Sequence, residues 1–109
     1  AQSTLSHTRI EGGSWSYANF TKAVWKTGAF QNCRLSQGVL SQMRHRNLTF
    51  RKVDLTGANF FLTPLAGVDL STCRIQGLTL SQDHRELRGA ILALEQAADV
   101  AALLGIKLI

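Results

Sequence analysis

The chain has 109 residues, of which 45% are apolar, and 12 Lys plus Arg against 7 Asp plus Glu give it a formal net charge of +5. This length bounds it to one domain with one continuous core, and the modest positive excess favours acidic partners, nucleic acid and anionic membrane among them. No apolar run is long enough to span a bilayer, and no ordered series of basic, apolar and small residues reads as a secretory leader, so a soluble, cytoplasmic protein is expected.

From the N-terminus onward the chain repeats every five residues. Leu5, Ile10, Trp15, Phe20, Trp25, Phe30, Leu35, Leu40, His45, Phe50, Leu55, Phe60, Leu65, Leu70, Ile75 and Leu80 stand at that spacing, and all but His45 are large and apolar. Two residues before each of these centres, a second series runs from Ser3 and Thr8 to Cys73 and Leu78 without a charged residue. Neither a helix of about 3.6 residues per turn nor the two-residue alternation of a strand stays in phase with five over this stretch, so the backbone must turn at regular intervals. The result is a coil of short segments.

Ala18-Asn19-Phe20, Gly28-Ala29-Phe30, Val53-Asp54-Leu55, Ala58-Asn59-Phe60 and Val68-Asp69-Leu70 resemble the pentapeptide-repeat family. The resemblance implies an all-β solenoid, a right-handed quadrilateral β-helix with about 20 residues per coil. It also implies that each centre and the residue two before it point inward, and that residues 1–82 form about four coils. Vertical neighbours then lie about 4.8 Å apart. Ile10, Phe30, Phe50 and Leu70 share one inner column, where the two Phe rings can stack; Trp15, Leu35, Leu55 and Ile75 share another. Trp15, Phe20, Trp25, Phe30, His45, Phe50, Leu55, Phe60 and Leu70 are thereby assigned to the core, where each large apolar side chain contributes roughly 1.5–3 kcal/mol.

After Leu80 the next centre is Leu87, seven residues on rather than five, which a loop with two extra residues accommodates. Ala90 and Leu92 then resume the inward pattern. Over about 94–104, Ala97, Val100, Ala101 and Leu104 stand at helical spacing among good helix formers and Gly105 follows, which predicts a short C-terminal α-helix. Residues 106–109 read as a closing strand.

Leu87, Gly89, Leu92, Gln96, Ala97, Leu104, Gly105 and Ile106 are similar, at the same spacings, to the C-terminal segment of the Qnr and MfpA quinolone-resistance group. That resemblance implies that residues 83–109 cap the solenoid and make a symmetric homodimer. Ala97, Val100, Ala101, Leu104, Ile106 and Leu108 are the candidate interface. The apolar stripe alone requires the helix to pack either on its own coil end or on a partner.

Outward positions supply the other candidates. Arg34, Asp54 and Arg74 share a column, which predicts a salt-bridge ladder worth roughly 0–1 kcal/mol per exposed pair. Lys26 and Arg46 are vertical neighbours, Arg44 lies two residues away, and Arg51 with Lys52 begins the next side; together they make a basic cluster, readable as a contact for phosphate or an acidic protein or as a solvated face. Phe61 and Leu62 are adjacent, apolar and outward, which fits a partner contact or a contact with the C-terminal segment. His45 reads as a hydrogen-bonded core histidine, since no companion ligands accompany it. Cys33 and Cys73 lie two coils apart, about 9.6 Å, beyond the roughly 7 Å a disulfide allows, so both are expected as free thiols. No nucleophile has a base beside it, and no phosphate loop or carboxylate pair is present. An enzyme, a cofactor, a metal site and a small-molecule substrate are not expected.

Two functions fit. The tail points to a Qnr-like protein that binds DNA gyrase or topoisomerase IV and protects them from quinolones by presenting a rod of DNA-like width and charge. This chain departs from that group in its positive charge, in its length and in lacking projecting loops within its repeats. Ala1 in place of Met, with the first coil already in register, sets the expectation of a preceding, more acidic half. The alternative is a dimeric repeat scaffold whose basic face binds an acidic protein, nucleic acid or a membrane surface.

Overall fold

The computed structural model describes residues 4–109, and the inward position expected at Ser3 lies outside them. Six short strands form two parallel sheets. The first holds β1 (Thr4–Leu5), β3 (Val24–Trp25) and β5 (Arg44–His45); the second holds β2 (Thr8–Glu11), β4 (Gly28–Gln31) and β6 (Leu48–Arg51). Ile10 pairs with Phe30 and Phe30 with Phe50, so the backbone returns to the same side every 20 residues. Two further sides are held by single parallel bridges, one through Ser14, Arg34, Asp54 and Arg74 and the other through Asn19, Val39, Asn59 and Thr79.

The repeat has local causes at its corners. Asp54 Oδ1 accepts hydrogen bonds from the Thr56 amide at 3.0 Å and hydroxyl at 2.6 Å, and Asn19 Oδ1 does the same with Thr21 at 2.9 and 2.6 Å. Asn59 and Asp69 likewise accept from the amides of Phe61 and Ser71. An Asn or Asp just before a centre therefore closes the turn that follows it. Two residues after most centres the backbone is left-handed, with φ of 49 to 65° at His7, Tyr17, Lys22, Asn32, Gln37, Gln42, Asn47, Lys52 and Leu62.

From Ala23 to Leu78 the centres and the residues two before them are buried, His45 excepted, and the apolar side chains among them form one continuous core. The Phe30 and Phe50 rings stack with centroids 5.2 Å apart and planes 5° from parallel. Trp25 packs on Phe30 at 5.0 Å and its Nε1 donates to the Met43 sulfur at 3.3 Å. Leu55, Phe60 and Leu70 are fully buried, and Phe20 is half-buried against the same cluster.

Two core expectations are corrected. Trp15 is 43% exposed, and its Nε1 donates to the Gly12 carbonyl at 3.2 Å. Its coil stands at the end of the described stack, so only one side of the ring meets other coils. His45 is half-buried and its ring nitrogen bonds the Pro64 carbonyl. The first sheet stops at β5, where Pro64, lacking an N–H, cannot extend the ladder. The salt-bridge ladder is also absent. Arg34 and Arg74 flank Asp54 through the backbone, but its carboxylate is engaged by Thr56, and among the described residues the one ion pair is Arg85 with Asp83 at 3.1 Å.

At the tail the offset grows by two residues: Asp69 bridges Ile91, and the Leu70 amide donates to the Ile91 carbonyl at 2.8 Å. A 3-10 turn over Arg85–Leu87 takes up the difference. A second 3-10 turn, Leu94–Gln96, leads into α1 (Ala97–Leu103). No strand forms over residues 106–109, contrary to expectation, because this end of the chain projects with Ile106, Leu108 and Ile109 exposed and meets no sheet edge with which to pair.

Candidate binding surfaces

The tail is fastened to the coils by polar contacts and leaves apolar surface outside. Gln96 is buried: its Nε2 donates to the carbonyls of Leu70 and Cys73, both at 2.8 Å, while its Oε1 accepts from the Ala93 amide at 2.7 Å. Gly105 has φ of 77°, and the amides of Gly105 and Ile106 return to the carbonyls of Ala102 and Ala101 at 3.1 and 2.9 Å. This 5→2 and 6→1 pair is a Schellman closure, which favours glycine at that position. Val100 and Leu103 turn toward the core, Ala101 is half-buried and Ala97 is exposed. Leu104, Ile106 and Leu108 are 50, 52 and 63% exposed, with Leu94 and Ile91 also open to solvent. The candidate interface therefore divides: Val100 serves the chain's own packing, and the apolar residues after α1 face outward.

Glu86 is the most deeply buried charged residue, 1% exposed. Its carboxylate accepts from the amides of Leu62 and Ser81 at 2.8 and 2.9 Å and from the Ser81 hydroxyl at 2.9 Å. Burial alone raises its pKa, but these donors outweigh burial and hold it below the usual carboxylate range. Sequence reasoning missed Glu86 and the anchoring part played by Gln96. A Glu inside a break of the five-residue pattern was the available signal for the first.

The basic residues fall on different sides of the coil. Lys26, Arg44 and Arg46 border one hollow of about 500 Å³ on the first sheet, with His45 and Val24. Arg51 belongs to β6 on the second sheet, and Lys52 borders a separate hollow together with Arg34, Asp54 and Arg74. The left-handed corner at Asn47 turns the chain between the two groups. Asp54 stays below the usual carboxylate range chiefly because of Thr56, with Arg74 and Arg34 adding to the effect.

Phe61 and Leu62 are exposed, and the C-terminal segment reaches this corner through the Glu86 carboxylate, which accepts from the Leu62 amide. Cys33 and Cys73 are both buried and unbonded, and burial pushes both thiols up. Among the described residues no group of three or more His, Cys, Asp or Glu is placed to hold a metal ion, and no helix is long and apolar enough to cross a membrane.

No family model matches the chain, and no curated protein matches it. Among solved structures the likeness is to a Qnr protein. A trypsin-treated variant of QnrB1, a plasmid-mediated fluoroquinolone resistance protein, is 12% identical with a TM-score of 0.43, over 97% of this chain and 91% of that one. A second trypsin-treated QnrB1 variant is 13% identical with a TM-score of 0.38, over 97% of this chain and all of the other. Similarity at this level leaves function to the residues themselves.

Proposed function

We propose that this chain is a non-enzymatic pentapeptide-repeat protein, a right-handed quadrilateral β-helix that dimerises through residues 83–109 and binds DNA gyrase or topoisomerase IV in the Qnr manner. The observation that supports this reading most is the division of labour in the tail. Residues that carry the Qnr resemblance have distinct structural tasks: Gln96 ties the tail to the fourth coil, Gly105 closes α1, and Leu104 and Ile106 stay open. Exposed apolar residues on a rigidly held end are suited to a self-complementary contact about a two-fold axis.

A titration of immobilised gyrase and of topoisomerase IV with the chain tests the partner. Saturable binding that duplex DNA competes away is the expected result; no binding to either enzyme contradicts the proposal. The second reading, a dimeric scaffold with a basic face, is favoured by Lys26, Arg44 and Arg46 gathered on one side. Binding to an acidic partner that weakens steeply with salt distinguishes it.

A further inference from the structure

Two adjoining hollows lie along the first sheet and share Val24 and Arg44 as a common wall. Lys26 and Arg46 border one; Lys22 borders the other, which Leu62 and Pro64 close with apolar surface. No Asp or Glu lines either hollow. Among the described residues the one ion pair is Arg85 with Asp83, so these four cations are without carboxylate partners. The hollow beside Lys52 differs, because there Asp54 lies among the cations. Like charges gathered without an acid repel one another, and a ligand bearing carboxylates relieves that repulsion.

The apolar wall narrows the class of ligand. Leu62 is exposed, and it occupies a corner with φ of 60°, where a bulky side chain is strained and Asn or Gly is not. Phe61 is exposed beside it. Two rings line these hollows: the Trp25 indole is buried, and the His45 imidazole is half-buried with its Nε2 on the Pro64 carbonyl, so neither offers an open, freely exposed face on which a base could stack. Cations alternating with aliphatic surface match carboxylates alternating with aliphatic anchors.

We infer that this double hollow is a docking site for an acidic peptide segment of a partner protein. An aliphatic anchor of that segment lies against Leu62 and Pro64, and its carboxylates meet Lys22, Lys26, Arg44 and Arg46. The inference rests on the second reading above, names its partner class, and is independent of topoisomerase binding.

Fluorescence anisotropy of a short labelled peptide alternating Glu and Leu, titrated with the full chain, tests it, with polyglutamate, duplex DNA and phosphatidylserine vesicles run alongside. Saturable peptide binding is expected, weakened by about tenfold or more in Arg44→Glu and in Leu62→Asn. Lys52→Glu changes net charge as much as Arg44→Glu does but lies outside the hollows, so it is expected to leave binding within about twofold. Because Asn suits the corner, a thermal melt of Leu62→Asn no lower than that of the parent shows that its loss of binding is local. Equal losses in Arg44→Glu and Lys52→Glu, or binding unaffected by Leu62→Asn, overturn the site. DNA or vesicle binding without peptide binding overturns the inference while leaving the second reading standing; failure of all four ligands removes both.

Discussion

Glu86 is a charged group placed where the five-residue pattern fails, and its surroundings explain why the break is tolerated. Three donors from Leu62 and Ser81 converge on its carboxylate, joining the corner of the fourth coil to the loop that follows Leu80. Its folded pKa lies below the unfolded value, so its stabilising contribution is fully present above about pH 4.3 and is lost as pH falls through the folded value. Asp54 and Asp69 are shifted in the same direction by their turn hydrogen bonds. Stability is therefore expected to fall as pH drops below about 4. Glu86→Gln is expected to cost about 1–3 kcal/mol at neutral pH and to make the acid limb of the stability curve shallower, which urea melts across the pH range would show. None of this was legible from spacing. The period locates the break, but only three-dimensional closure shows what fills it. His45 and Trp15 teach the same lesson: their columns were readable, whereas their burial depends on Pro64 and on the end of the stack.

At the scale of elements, the short strands have little intrinsic stability, and their register comes from side chains stacked coil upon coil. Gly28 shows how tight that stacking is, since a Cβ there would lie 2.3 Å from the Trp25 ring. Gly28→Ala must move Trp25 off Phe30 and is expected to cost about 1–3 kcal/mol by the strain of overpacking, measurable by thermal or urea denaturation. The tail depends on a polar tie. Gln96→Ala leaves the Leu70 and Cys73 carbonyls without their donor and is expected to cost about 1–3 kcal/mol. Faster amide hydrogen exchange over residues 93–105, with the coils little changed, would show that the loss is in the tail. Period five made the strands' order and inward face readable, and helical spacing followed by Gly105 made α1 readable. The extent of each strand was not, because Pro64 ends one ladder and Thr72 supplies a side-chain acceptor, Oγ1, to the Lys52 amide at 3.0 Å. The expected strand over 106–109 lacked the one thing periodicity cannot provide, an edge beside it.

The whole molecule is an elongated body of 43 × 26 × 24 Å with two unlike surfaces: an apolar end after α1 and a side carrying cations without acids. Its coil of short parallel strands was legible because one period runs from Leu5 to Leu80. The change of side at Arg51 and Lys52 was legible too, whereas the hollows that Lys22, Lys26, Arg44 and Arg46 border were not, because spacing does not give the shape between outward side chains. The dimer proposal belongs to this scale. Ile106→Asp places a charge within the exposed apolar end, away from the core, and is expected to convert a dimer to a monomer in sedimentation equilibrium without lowering the melting of the coils. The central claim, a Qnr-like action on topoisomerases, is tested most directly by gyrase supercoiling in the presence of ciprofloxacin while this chain is titrated in. Restored supercoiling with fewer drug-stabilised cleavage complexes is the predicted result; supercoiling and cleavage unchanged by the chain at saturating concentration would contradict it.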